Sequence, residues 1–194
     1  MYSSSFDQHL KDLKQVLQRL KTANFLAKVQ KCVFARSELP FLGFIVGKEG
    51  VRLDPSAVEA VCKCPGPKDR SEVRRFLGMA SQYRRHIFNY ARIVDPLVRI
   101  TSEEIPFLWE NEQQEAFDYI KKKLTEAPVM AYPDPTRSFI LYTDASDFQL
   151  GAVLCQKDRN GIEHVVSYGS RMMSKSERNY STTEREGFAV VQLD

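Results

Sequence analysis

Cysteine is scarce in this chain, and the four that occur, Cys32, Cys62, Cys64 and Cys155, have neither the spacing of a zinc site nor the density of a secreted disulfide framework. Free thiols in a reducing compartment follow. No apolar run approaches the length of a membrane span, and Met1-Tyr-Ser-Ser-Ser5 lacks the apolar core of a signal peptide. The expectation is a soluble intracellular protein with no membrane partner, without distinguishing a cytoplasmic particle from the nucleus. Internal repeats and low-complexity tracts are absent, and charged and apolar residues occur in ordinary globular proportion, which argues against disorder. A large charge imbalance is missing too. The net charge is +3 and the sequence pI about 8.6, a mild excess that fits a nucleic-acid partner without requiring one.

What is present suffices for a core. With 194 residues, 43% of them hydrophobic, the chain can bury apolar surface in two or three small modules rather than one large domain. Ser5 can cap a helix in which Phe6, Leu10, Leu13, Leu17 and Leu20 recur at three- and four-residue steps, ending near Asn24. Residues 25–34 read as a strand-prone piece followed by a loop to Pro40. Residues 41–46 and 51–53 flank Gly47-Lys-Glu-Gly50, which predicts a β-hairpin.

Beyond Asp54-Pro55 the texture becomes helical and basic. A short helix over 56–62 is closed by Pro65-Gly-Pro67, and a second opens at Ser71 and runs toward Ile87. Lys68, Arg70, Arg74, Arg75, Arg84 and Arg85 interleave here with Phe76, Tyr83, Phe88 and Tyr90. Such a mixture suits a surface for phosphate and ribose; it equally suits a solvated helix face beside an aromatic core stripe. A helix over 112–126 turns Phe117, Ile120 and Leu124 inward and stops at Ala127-Pro128. Tyr132-Pro-Asp-Pro135 reads as a linker or tight turn at a domain boundary. Three strand-like runs follow, over 139–143, 150–155 and 164–170, and then a helix that starts near 180–183.

Asp144 stands out. An apolar run, Phe139-Ile-Leu-Tyr-Thr-Asp-Ala-Ser146, delivers one carboxylate to the rim of a sheet, where a rigid strand can hold a hard oxygen ligand for Mg2+. A turn or helix-cap role is the plainer alternative for a lone aspartate after a strand.

These residues also form an ordered series. It comprises Cys32-Val-Phe-Ala35, Phe41-Leu-Gly43, Arg75-Phe-Leu-Gly78 followed by Tyr83-Arg-Arg85, Pro96-Leu97, Phe107-Leu-Trp109, Ala127-Pro128, Thr143-Asp-Ala-Ser146, Gly151-Ala-Val-Leu154, Ser170-Arg171 and Asn179-Tyr-Ser181. In this order and spacing the chain resembles, over nearly its whole length, the pol polyprotein of gypsy-type long-terminal-repeat retrotransposons. The resemblance implies an α+β fold: the C-terminal part of a reverse transcriptase, a hairpin plus a helical thumb, followed by a truncated RNase H-like β-sheet with one helix. Residues 1–54 would be the end of the palm with its primer-grip hairpin, 55–104 a thumb-like helical region, 105–135 a connection segment and 136–194 the RNase H-like domain.

The resemblance also implies partners and sites. An RNA–DNA hybrid or a primer–template duplex would meet Phe41, Leu42 and Gly43 of the hairpin and Arg74, Arg84 and Arg85 of the thumb; the remainder of the pol polyprotein would be the protein partner. RNase H chemistry uses four acids to hold two Mg2+ ions, and here the match supplies Asp144 and Glu186. Glu186 is preferred to Glu184 because Glu186-Gly-Phe-Ala189 fits the family's helix frame, and two positions turn a helical residue to roughly the opposite side. No step of that chemistry needs a titrating histidine, so the scarcity of His is no obstacle.

Departures from the family pattern matter equally. The paired aspartates of the polymerase should precede this sequence, with Tyr2-Ser-Ser-Ser5 as their downstream flank, and Asp194 lies too far past Glu186 on the same helix to act as a third ligand. The expectations are weak metal affinity, negligible hydrolysis by this chain alone, and an uncovered edge on the third strand of the RNase H-like sheet. The rival reading is a catalytically inactive nucleic-acid-binding module or a relic of a transposable element.

Overall fold

A computed structural model describes residue 3 and residues 5–193; the expectations placed on Tyr2, Ser4 and Asp194 lie outside the described residues. The chain divides into two compact units, residues 1–39 and 40–194.

The first unit is built on α1 (Phe6–Thr22). Ser5 is its cap, its side chain accepting from the Gln8 amide at 3.3 Å, as the sequence suggests. The helix stops at Thr22, and Asn24, with a positive φ of 58°, redirects the chain. No residue of α1 is buried within the described structure. Residues 25–34 are not a strand: they are irregular around a single 3-10 turn, Val29–Lys31. The alternation of Lys with Val lacks a neighbouring strand to pair with, and propensity without pairing does not make a sheet.

Strand β1 (Glu38–Phe41) replaces the expected loop and leads into β2 (Phe44–Gly47) and β3 (Gly50–Leu53), which form a three-stranded sheet in the order β1-β2-β3. The predicted β2–β3 hairpin is present, with Gly47 opposite Gly50. The apolar run from Phe41 is broken, however, at Leu42 and Gly43. Both have positive φ, 51° and 85°, the pattern of a type I′ turn.

The helical cluster comes next. Helix α2 (Pro55–Cys62) is capped by Asp54, which accepts from the Ser56 amide at 2.9 Å. Helix α3 (Arg70–Ser81) is capped by Asp69 rather than Ser71 and ends six residues before Ile87; the 3-10 turn Arg84–His86 completes that stretch. Helix α4 (Tyr90–Arg99) forms despite Pro96 within it, and α5 (Asn111–Thr125) opens with a reciprocal capping box between Glu110 and Gln113. Val73, Phe76 and Ala80 of α3 recur on one face and meet Tyr90, Val94 and Leu97 of α4 and Phe117, Ile120 and Leu124 of α5 in the main core. Phe76 and Phe117 pack with ring centroids 4.5 Å apart. Emptying a site of this kind by a Phe→Ala change costs about 3–5 kcal/mol.

The second sheet contains β4 (Phe139–Ala145), β5 (Gln149–Lys157) and β6 (Glu163–Met172), antiparallel in that order, followed by α6 (Thr182–Leu193). These are the three strands and the helix read from sequence, each strand two or three residues longer than its apolar run. Helix α6 packs against β4 and β5 through a small cluster of Ala189, Leu150, Met173, Ala145 and Phe188. The other face of β6 meets the helical cluster, where Phe88 and Tyr168 pack edge to face at 5.7 Å.

The stretch before β4 is a strap rather than a free linker. Met130 exchanges backbone hydrogen bonds with Val51 at 2.8 and 2.9 Å, and the Ala131 amide donates to Val165 of β6 at 2.8 Å. The Tyr132 hydroxyl donates to the carbonyl of Gly47 at 2.9 Å. The outer edge of β6, expected bare, is therefore partly paired, and residues 130–132 join the two sheets.

Candidate nucleic-acid interface and metal-binding acids

The β1–β2 turn is held from behind by the end of α3. Gln82 donates through Nε2 to the Leu42 carbonyl at 2.6 Å, and Gly43 lies so close that a Cβ there would stand 2.8 Å from Gln82 Nε2 and 2.9 Å from the Tyr83 hydroxyl. Phe44 then packs on Tyr83, edge to face at 5.6 Å, and stacks on His86 at 5.3 Å. This grip leaves Phe41 and Leu42 outside, 58% and 73% exposed. Arg84 and Arg85 follow Tyr83 directly, both exposed on the 3-10 turn and without an ion-pair partner among the described residues. The turn that carries Phe41, Leu42 and Gly43 is thus backed by Gln82 and Tyr83, and the two residues that follow Tyr83 are the exposed Arg84 and Arg85.

Arg74 is not part of it. It lies about two turns back along α3 from Ser81, and its Nη2 donates to the Thr101 carbonyl at 2.7 Å with Glu103 at 4.0 Å. Arg70 does the same for Ser102, its Nε donating at 3.2 Å. The basic tract therefore divides into guanidiniums that brace the loop after α4 and guanidiniums that face solvent. Gln82 carried no sequence signal as the residue that holds the turn; a polar residue at a helix end has no periodicity to betray its partner.

His86 is the buried member of the basic turn. It is 8% exposed, and neither ring nitrogen meets hydrogen-bond geometry with a partner. Burial pushes its pKa down, against a smaller upward pull from the Val51 backbone. The Tyr90 hydroxyl, also buried and unpartnered, is pushed up to about 12 by burial, with Arg84 opposing.

Asp144 is exposed near the end of β4, paired in register with Gly151 of β5. Glu186 is exposed on α6, in the helix that packs against β4 and β5. The two acids sit on adjoining elements, and both are hard oxygen donors open to water, the right chemistry for Mg2+. Ala145 and Ala189 share the small core cluster under α6, and Asp144 is the exposed neighbour of Ala145 along β4. Glu184 is occupied elsewhere: its carboxylate accepts from the Ser181 amide and hydroxyl, both at 2.8 Å, which lowers its pKa. Among the described residues no three His, Cys, Asp or Glu side chains converge as a metal-binding group. The donors present fit part of a magnesium shell and do not complete one.

Comparison with known proteins fits this architecture. Residues 109–193 match the family model described as the RNase H-like domain found in reverse transcriptase. Over 98% of its length the chain is similar, at 35% identity, to the retrovirus-related Pol polyprotein from transposon opus of Drosophila melanogaster, of which it covers 20%. Over 99% it is similar, at 33% identity, to the transposon Tf2-3 polyprotein of Schizosaccharomyces pombe, of which it covers 14%. The chain spans a fifth or less of the length of these curated relatives.

Among solved structures, the fold matches the foamy viral protease-reverse transcriptase in complex with an RNA/DNA hybrid, with a TM-score of 0.86 at 20% identity, covering all of this chain and 26% of that one. It matches the same enzyme in complex with double-stranded DNA with a TM-score of 0.84 at 21% identity, covering 41% of that chain. The fold class read from sequence, α+β with a reverse-transcriptase part followed by an RNase H-like sheet and helix, is the fold observed. Retrotransposon pol polyproteins are the proteins that the chain resembles throughout, and no described helix is long and apolar enough to cross a membrane.

Proposed function

We propose that this chain is a segment of a gypsy-type retrotransposon pol polyprotein that grips an RNA–DNA hybrid or primer–template duplex and contributes two of the acids with which the parent protein cleaves RNA. Residues 1–54 act as the end of the palm with its primer grip, 55–104 as thumb, 105–135 as connection and 136–194 as the start of the nuclease. The observation that carries the reading is the turn of Phe41, Leu42 and Gly43 buttressed by Gln82 and Tyr83, with Phe41 and Leu42 exposed at its tip and Arg84 and Arg85 exposed directly after Tyr83. Backbone phosphates take the guanidiniums, and the apolar tips lie against sugars and bases, a mode that reads duplex shape rather than sequence.

In this reading Asp144 and Glu186 hold Mg2+ jointly with acids from elsewhere in the polyprotein. The metal, when bound, would activate water and stabilise the leaving oxygen of the phosphodiester. The chain's own part is to fix two carboxylates on a strand end and a facing helix. Alone it binds metal weakly and does not cleave. A binding module without catalysis remains the second reading, favoured by the same grip if no further acids ever join the site.

The test is hybrid affinity as a function of salt for the wild-type chain, Arg84→Ala, Arg85→Ala and Arg74→Ala. Each loss of a phosphate contact is expected to flatten the slope of log affinity against log salt by about one. Arg84 and Arg85 should show this, and Arg74, engaged with Thr101, should show less. Unchanged slopes in Arg84→Ala and Arg85→Ala would remove the grip from this surface.

A further inference from the structure

Three pieces of chain meet on the guanidinium of Arg185. Its Nη1 pairs with the carboxylate of Asp147 in the β4–β5 turn, and its Nη2 donates to the Arg178 carbonyl at 3.0 Å. The arginine side chain is only 18% exposed, whereas Asp147 is 74% exposed, so the anchored partner is the arginine. The turn itself is tightly defined. Ser146 and Gln149 exchange hydrogen bonds, with the Ser146 amide donating to the Gln149 carbonyl at 2.9 Å and the Gln149 amide donating to Ser146 Oγ at 3.0 Å. The Met173 amide donates to the Phe148 carbonyl at 2.8 Å, and the Arg178 guanidinium lies 5.2 Å from the centroid of the Phe148 ring.

Asp147 is three residues after Asp144, and Arg185 immediately precedes Glu186. We propose that Arg185 and Asp147 are a positioning pair that sets the spacing of the Asp144 and Glu186 carboxylates for a divalent cation. The inference rests on the reading of those two acids as metal ligands and adds what holds them in register. The apolar contact under α6 is small, with Ala189 fully buried among the described residues and Phe188 half-buried beside it. The guanidinium adds a polar anchor next to Glu186, because its two arms reach a turn on each side. An ion pair with one exposed partner adds little to stability. Its effect falls on geometry, to which magnesium, with its near-ideal octahedral demand, is sensitive.

Charge alone makes the opposite forecast for one partner. Removing the positive charge of Arg185 next to a cation site would tighten metal binding by Coulomb's law, while removing Asp147 would weaken it. A positioning pair requires both removals to weaken it. Saturable Mn2+ binding to the 194-residue chain, followed by the EPR signal of free Mn2+, separates these cases, with thermal melting recorded for every variant.

Asp144→Asn and Glu186→Gln are expected to abolish saturable binding. Asp147→Asn and Arg185→Gln should each weaken it on the order of tenfold, the size typical of groups that orient ligands, and the double variant should be no weaker than either single one. Arg185→Lys, which keeps the charge and loses the fork, should fall between wild type and Arg185→Gln, and it serves as the second variant should Arg185→Gln fail to fold. Wild-type affinity or tighter in Arg185→Gln or Arg185→Lys, with Asp144→Asn still defective, overturns the positioning pair and leaves the metal reading standing. Binding that survives in both Asp144→Asn and Glu186→Gln, or is absent from the wild type, overturns the metal reading and the pair with it.

Discussion

Ser170 caps a helix to which it does not belong: its hydroxyl accepts the backbone N–H of Ala91, in the first turn of α4, at 3.0 Å. The residue in the cap position, Asn89, is left-handed with a φ of 57° and makes no side-chain cap bond. Its carboxamide oxygen accepts instead from Gln149 Nε2 at 2.8 Å. Helix and sheet thus satisfy one another's polar groups across their junction. Ser170→Ala is expected to cost about 1 kcal/mol, the usual value of a lost cap, in urea unfolding, and to do so without altering the helical cluster itself.

Gly50 is a close approach between the first sheet and the strap that precedes β4. A Cβ there would stand 2.2 Å from the Met130 carbonyl oxygen, and its φ is +140°. Backbone strain of this kind costs on the order of 1–3 kcal/mol before any clash is counted. Gly50→Ala should therefore destabilise the chain strongly in denaturant unfolding and break the backbone hydrogen bonds between Val51 and Met130, which hydrogen exchange would register.

Acid should act in two windows. The folded-state pKa of His86 is lowered by burial, so the unfolded chain binds more protons, and stability present above the unfolded value of 6.5 declines as pH falls through it. Glu177 is held down to about 2, chiefly by the Arg171 guanidinium at 3.0 Å and then by the Ser174 amide. Its contribution is complete above 4.5 and is lost as pH falls toward 2. Unfolding free energy measured from pH 8 to pH 2 should show both declines, and Glu177→Gln should flatten the lower one. An NMR midpoint for His86 above that of free histidine would contradict the first.

How much of this was legible in sequence depends on the reach of each signal. Local signals worked: the Ser5 cap, the Gly47–Gly50 hairpin, the apolar spacing of α5 and the strand–strand–strand–helix order of the C-terminal part all appear. Periodicity failed where no partner strand existed, at 25–34, and where a proline, Pro96, stands inside a helix, at α4. Contacts between distant segments left no local trace. Gln82 holding Leu42 is one such case, Met130 and Ala131 joining two sheets is another, and Arg74 donating to the Thr101 carbonyl is a third. Asp144 stands out from its own apolar run and Glu186 is marked only by the resemblance, and the two lie on packed neighbouring elements, whereas Arg185 and Asp147 look like ordinary exposed charges until their partners are seen.

Magnesium-dependent cleavage of a labelled RNA–DNA hybrid tests the central claim most directly, comparing the 194-residue chain with the full-length polyprotein, each as wild type and as Asp144→Asn, with hybrid binding followed in the same tubes. The expected result is binding without cleavage by the chain alone, and cleavage by the polyprotein that Asp144→Asn abolishes while binding persists. Undiminished cleavage by the Asp144→Asn polyprotein would contradict the account.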